Sequence, residues 1–479
     1  MATCVVVASC ADNAPTAAPE SSVSGAIAAA SSVAICHRSG PFGVIINVPL
    51  SQLASRLSAG DYVAQLFVNH DLNQASDGIH FHRIGDALAA VHTGRLARGE
   101  LERAACRITI AVAPGVFHVT ATDSTSPSLD HVPLVVDVPN ITLRGALVMR
   151  LDASGRATGE GTTALATTIS PIEPLAFDDV TGASLGLIVV NGHPHGSAGN
   201  SFQVEGFVFQ SNQLAEGDEG GQGITSVRVK NLDIRGNNFE PGFTESIDLR
   251  ATTAAVEHNH LTGTAGSCDI CLAGPGAYLA TGNRLLSGGI PGFLIVSAFG
   301  LPTPNVAEQY DLPEFSRTWA EVWNNEVQDH SRHPVGVGIR LGAIGVGAPS
   351  VKGDLHAKIH DNLLVNNRFG MIFEAAFPDA EGALKGNIEA SIYRNTFRGS
   401  CEANLLIALT RHTTALGLTD FPWLENSTYR VSLNGNLRMS DVWYGNEAGH
   451  GNTLIVDGHT IPAGTRQSYS EDTCPNLGG

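Results

Sequence analysis

A six-residue phrase returns through the second half of the chain: an aliphatic residue, two variable residues, an asparagine, one further residue and another apolar one. It reads Val256-Glu-His-Asn259-His-Leu261, Val322-Trp-Asn-Asn325-Glu-Val327, Ile359-His-Asp-Asn362-Leu-Leu364 and Ile392-Tyr-Arg-Asn395-Thr-Phe397, with a looser copy at Ala280-Thr-Gly-Asn283-Arg-Leu285. The asparagines recur at intervals of about 24 to 42 residues, the range of a solenoid whose coils differ in length. In such a chain a short strand ends at a tight bend, where the asparagine side chain satisfies backbone groups and bonds to the asparagine of the next coil, about 4.8 Å away.

A second apolar strand follows each phrase: Ile247 to Arg250, Ile270 to Leu272, Ile339 to Leu341, Met371 to Phe373 and Leu405 to Ile407. Glycines at Gly288, Gly289, Gly336, Gly338 and Gly370 separate the strands, and helical periodicity is weak throughout this half. The expectation is an all-β chain, a single-stranded right-handed parallel β-helix with a short N-terminal helical cap. At 479 residues the chain would ordinarily divide into several domains, but a solenoid grows by adding coils and remains one.

The formal net charge is -18. Its few lysines are Lys230, Lys352, Lys358 and Lys385, which argues against nucleic acid or an anionic membrane as the main partner. A membrane is expected to be met only through a lipid anchor at Cys10. There Val7-Val-Ala-Ser-Cys10 matches the cleavage box of a bacterial lipoprotein, although the stretch before it is short and lacks basic residues. An Ala, Ser and Pro-rich tether follows, so export to the outside or to the cell envelope is expected. Setting aside Cys4 and Cys10, the remaining cysteines, at 36, 106, 268, 271, 401 and 474, form an even set suited to disulfides. Cys268 and Cys271 lack a second pair at zinc-finger spacing and read as a local bridge or two packed thiols.

The expected division is residues 1–35 as signal and tether, 36–106 as an N-terminal module and cap, 107–460 as the β-helix and 461–479 as a tail. Within the second unit, Ile84 to Val91 has helical spacing. Arg107 to Val119 then reads as strand, Pro-Gly turn and strand. Such a helix would shield the interior and the open edge of the first coil.

The order Asp77-Gly78, Ile84 to Ala90, Ile108 to Phe117 and Asn140-Ile-Thr-Leu-Arg-Gly145 resembles the opening of pectin-lyase-like β-helix proteins, which include pectin methylesterases and many bacterial right-handed β-helix repeat proteins. With the asparagine phrases the resemblance extends over most of residues 75–460. It implies carbohydrate polymers as substrates, in a superfamily of lyases, hydrolases, esterases, epimerases and non-catalytic proteins. The Gln-Asp-Thr and Asp-Phe-Ile-Phe-Gly blocks of pectin methylesterases and the Asp-Pro-His block of alginate epimerases are absent, and the aspartate motifs of polygalacturonases have no match.

Aligning the asparagines places Glu257, Trp323, His360 and Tyr393 in one outward column and His258, Asn324, Asp361 and Arg394 in its neighbour. The second strand gives a column of Asp248, Cys271 and Arg340 and another of Arg250, Gly342 and Glu374. Long inserts, Phe299 to Thr318 and Arg411 to Arg430 with His412, Asp420, Trp423 and Glu425, would wall a site. Trp323 and Trp423 suit the apolar faces of sugar rings, and Asn324, Glu257, His258, Asp248 and Arg250 suit their hydroxyls. Packing under a loop accounts for Trp323 equally well, and a solvated ion-pair ladder accounts for Arg340, Arg394 and Glu374.

Two mechanisms fit these columns. In β-elimination from a uronic acid, the narrowly preferred reading, His360 or Tyr393 is the base and Arg394 or Arg340 stabilises the developing charge. In hydrolysis or transfer on a neutral glycan, Asp361 and Glu374 are the nearest carboxylate pair. A third reading is a non-catalytic surface protein that binds glycans or adheres. No cofactor is demanded; calcium at Asp218 and Glu219 competes with a plain acidic turn, and His193 and His195 lack a third metal ligand.

Overall fold

The computed structural model describes residues 32–466 except 40–41, 71–76, 102–103, 121–129, 132, 150–162, 173–185, 192–200, 212–220, 265–267, 289–290, 298–314, 331–335, 343–351, 375–385, 409–425, 438, 440–441 and 447. Three long sheets of 14, 11 and 10 strands run the length of the molecule. Successive coils contribute one strand to each. In the Asn259 coil these are Thr253–Glu257, His260–Thr262 and Cys268–Ala273, each pairing in parallel with the corresponding strand of the coils before and after. The short strand directly after the asparagine carries the phrase's last apolar residue, so a coil has three sides where the sequence suggests two.

Inside the coil, like stacks on like. Ile234, Val256, Ala280, Val322, Ile359 and Ile392 pair in sequence along the 14-stranded sheet and are fully buried. Burying an aliphatic side chain of this size contributes about 1.5 to 3 kcal/mol, so each coil is held by the coils that cover it. Near the start of the second strand, the packing at Gly338 leaves no room for a side chain. A Cβ on Gly338 would lie 2.6 Å from the carbonyl oxygen of Gly370, its counterpart in the next coil.

The asparagine ladder is continuous from Asn237 through Asn259, Asn283, Asn325, Asn362 and Asn395 to Asn436. At every step the backbone N–H and Nδ2 of one asparagine both donate to Oδ1 of the next, at 2.9 to 3.1 Å. Each Nδ2 also donates to a carbonyl of the preceding coil, as Asn362 does to Val322. The residue before each rung is left-handed: Gly236, His258, Gly282, Asn324, Asp361, Arg394 and Gly435 have φ between 54° and 65°. Glycine and asparagine tolerate that geometry best.

At the N-terminal end an antiparallel hairpin, Ser32–Ser39 with Phe42–Pro49, precedes helix α1 (Leu50–Ser58). Helix α2 (Ile84–Ala97) packs over the first coil. Its first N–H groups, on Ile84 and Gly85, donate to Asp130 at 2.9 and 2.7 Å, and burial pushes that carboxyl up to about 6. Arg95, fully buried on α2, donates to Tyr62, Glu100 and the carbonyl of Cys106. A disulfide between Cys36 and Cys106 fastens the hairpin to this end of the solenoid. Cys268 and Cys271 are bridged, and Cys401 is also disulfide-bonded.

Candidate active-site groove

The outer face of the 14-stranded sheet carries three columns that can be counted back from each ladder asparagine. Two residues before it stand Arg235, Glu257, Thr281, Trp323, His360 and Tyr393, and four before it stand Asp233, Ala255, Leu279, Glu321, Lys358 and Ser391. Six before it are Thr253, Ala277, Trp319, His356 and Glu389. Small side chains in the middle coils leave a groove of about 910 Å³ over the second and third columns. From Asp233 to Ser391 it crosses six coils, a run of about 24 Å at the spacing of parallel strands, and Ser201 and Arg107 of earlier coils extend its lining.

The Trp323, His360 and Tyr393 side chains stand in register on consecutive coils. The ring centroids of Trp323 and His360 are 6.0 Å apart and those of His360 and Tyr393 are 4.6 Å apart, with the rings nearly parallel. The His360 ring is therefore covered on both faces. Both its nitrogens are also engaged, Nδ1 at 2.7 Å from Asp361 and Nε2 at 3.2 Å from Glu321. Arg394 donates to both oxygens of Asp361, at 2.7 and 2.6 Å, and its guanidinium lies 4.9 Å from the centre of the Tyr393 ring. Hydrogen bonds from Arg394 and His360 hold the Asp361 carboxyl well below the usual carboxylate range. The strip borders the groove, and Glu321 is its link to the groove wall. His258 and Asn324 sit at left-handed bends with exposed side chains and do not line the groove.

The columns from the second strand lie elsewhere. Asp248, Cys271 and Arg340 share one register, as do Arg250, Gly342 and Glu374, but on the 11-stranded sheet. Asp248, Cys271 and Arg340 are only 3%, 6% and 8% exposed, so this is a covered face and no open wall. Asp248 accepts from Arg250 at 2.5 Å and from Gln222 at 3.2 Å, as a buried ion pair must. Arg340 therefore does not meet His360 or Tyr393, and neither do Asp248 and Arg250: the coil turns a corner between the two sheets. Glu374 ends the strand Phe369–Glu374 on that same sheet, whereas Asp361 stands at a bend beside the 14-stranded one. The side chain of Glu374 lies outside the described residues, as do Cys10, His193, His195, Asp218, Glu219, His412, Asp420, Trp423 and Glu425.

Among the residues expected to bind substrate, Glu257 lines the groove. The residues that sequence reasoning passed over stand near it. Asp233 is half-buried; its Oδ2 lies 3.6 Å from Arg235, and its Oδ1 is buried without a partner among the described residues. Burial, reinforced by the charges of Glu257 and Glu205, raises its pKa against the opposing pull of Arg235 and Arg107. Glu205 is clamped by Arg144 and by Arg235, the latter at 2.7 Å, and stays lowered. Asp233 and Glu257 sit on adjacent coils offset by two residues, which places their backbones about 8 Å apart. Further along, Trp319 is 55% exposed and stacks on His356 at 4.1 Å. The signal for Asp233 was the phrase Ile234-Arg-Gly-Asn237-Asn-Phe239, which fits the repeat; Trp319 was reachable by counting six residues back from Asn325.

No family model matches the chain, and no curated protein matches its sequence. Among solved structures it is similar to DFA-IIIase from Arthrobacter chlorophenolicus in complex with GF2, at 12% identity over 82% of this chain and 88% of that one, with a TM-score of 0.41. It is similar to the periplasmic alginate epimerase AlgG at 12% identity, covering 73% of this chain and 76% of that one, with a TM-score of 0.38. The tailspike protein of E. coli bacteriophage HK620 matches at 12% identity over 89% of this chain and 71% of that one, with a TM-score of 0.40. With its three parallel sheets and asparagine-lined bends, the chain is a right-handed parallel β-helix.

Proposed function

We propose that the protein is a carbohydrate-active enzyme that binds a neutral glycan along the groove of the 14-stranded sheet and hydrolyses it with Asp233 and Glu257. The observation that carries this reading is the half-buried Asp233 carboxyl, raised above its ordinary range, facing the same groove as Glu257. A raised carboxyl is shifted toward its protonated form, the direction a general acid needs. Carboxyl groups about 6.5 to 9.5 Å apart leave room for a water between base and sugar, and the spacing of the two backbones suits that arrangement. Asp233 would protonate the glycosidic oxygen as its bond to the anomeric carbon breaks. Glu257 would take a proton from the water whose oxygen attaches to that carbon from the opposite face.

The same groove favours hydrolysis over β-elimination. Its charged lining includes Asp233, Glu257, Glu321 and Glu389 against Arg107 and Lys358, a poor host for a polyuronate. Both ring nitrogens of His360 already face carboxylates, so neither is aimed at a substrate proton. The Cys36–Cys106 bridge supports an exported protein. Among the described residues no helix is long and apolar enough to cross a membrane.

The test is incubation with neutral and uronic polysaccharides, following reducing ends and the ultraviolet absorbance of unsaturated products together. Reducing ends from a neutral glycan without unsaturated product are expected, with Asp233→Asn and Glu257→Gln each lowering the rate at least about 100-fold. Unsaturated product from a uronan would sink the hydrolytic reading.

A further inference from the structure

Resting on that reading, the geometry points to a dedicated pyranose subsite on the open face of Trp319, at the level of Ala277, that selects straight β-1,4-linked chains. The column six residues before the ladder asparagines is an interrupted ring stack. Trp319 and His356 lie face to face, 4.1 Å between centroids and 13° between planes. One coil earlier the column holds only Ala277, and one coil earlier again Thr253. The face of Trp319 turned away from His356 therefore looks across a rung that supplies a methyl group where a ring would fit. All four residues line the groove.

Leu279, in the adjoining column of the same coil as Ala277, is 44% exposed and also lines the groove. Large exposed apolar side chains are otherwise few in this wall, so Trp319 and Leu279 form a two-sided apolar corner. A pyranose ring whose hydroxyls are all equatorial has a flat C–H face that packs on an aromatic plane, while its rim of hydroxyls reaches polar neighbours. Glu321, two residues along from Trp319, is such a neighbour. A ring held at the Ala277 level is one coil from Glu257 and two from Asp233, so the anchor sits beside the acid pair and sets which linkage lies between the carboxylates. The groove follows the solenoid axis across consecutive parallel strands, which suits an extended ribbon of rings and disfavours a chain that coils.

The experiment measures binding of cellohexaose, xylohexaose and maltohexaose to the full chain carrying Glu257→Gln, by calorimetry and tryptophan fluorescence. Cellohexaose or xylohexaose is expected to bind more tightly than maltohexaose. Trp319→Ala should weaken that binding by about tenfold or more, whereas Trp319→Phe, which keeps a ring face, should stay within about threefold. Ala277→Trp completes the stack, and should abolish binding while leaving the unfolding midpoint close to that of the parent. If Ala277→Trp fails to fold, the contrast between Trp319→Ala and Trp319→Phe decides alone. Unchanged binding in Trp319→Ala, with hydrolysis by the parent intact, overturns the subsite and leaves the acid pair standing. Tighter binding of maltohexaose overturns the selectivity. No binding of any neutral hexasaccharide, together with no hydrolysis, overturns the subsite and the proposed function alike.

Discussion

Asp361 and Asp233 lie on the same sheet, yet their surroundings push them in opposite directions. Asp361 is lowered by hydrogen bonds from Arg394 and His360, whereas Asp233 is raised by burial and by neighbouring carboxylates. For Asp361 the linkage is that of a depressed acid. Its contribution is complete above the unfolded-state pKa, near 4, and is lost as the pH falls through the lower folded-state value. Comparing urea midpoints of the parent and Asp361→Asn from about pH 2 to pH 6 should show the parent's advantage full at the upper end and clearly reduced at the lower. Because Arg394 is largely exposed and water screens its charge, the advantage should be small. An advantage that grows on acidification would contradict the hydrogen-bonded arrangement. Single residues were legible in the sequence only as far as the repeat was counted. The column of Glu257, Trp323, His360 and Tyr393 came out in register because one residue type marks every bend. What the rings do with one another was not legible, since stacking depends on rotamers that spacing does not carry.

At the scale of elements, the strand and its bend are held by the asparagine. Replacing Asn362 by Ala removes the acceptor for two donors of Asn325 and the donor to Val322 in a fully enclosed place. Leaving buried donors unpaired costs about 1 to 3 kcal/mol each, so Asn362→Ala should destabilise by at least about 2 kcal/mol by chemical denaturation. Asn436→Ala, at the half-buried last rung, should cost clearly less; equal losses would mean that the ladder's burial is not what matters. The phrase predicted these strands well because its apolar residues flank a fixed polar one. It predicted two sides per coil where there are three, since the strand after the bend has only two or three residues and leaves no period to read. It also could not tell an outer face from a covered one. Asp248, Cys271 and Arg340 alternate as exposed residues should, and are buried by whatever overlies their sheet.

On the scale of the whole molecule, a net charge of -18 surrounds a groove whose own lining is rich in carboxylates. A polyuronate should bind more weakly than a neutral glycan of equal length at low ionic strength, and added salt should narrow the gap by screening repulsion over about 10 Å. Affinity electrophoresis at two salt concentrations checks this. Binding of a polyuronate that weakens with salt would reveal a basic path that the described residues do not contain. The ladder adds a property of another kind. At every rung it is the following coil that supplies Oδ1 to the coil already made. During synthesis from the N-terminus, each new bend therefore stays unsatisfied until the chain has gone round once more. The nascent solenoid carries a moving sticky end, and a ribosome that stalls between Asn237 and Asn436 would release a chain whose last coil is looking for an asparagine from another molecule.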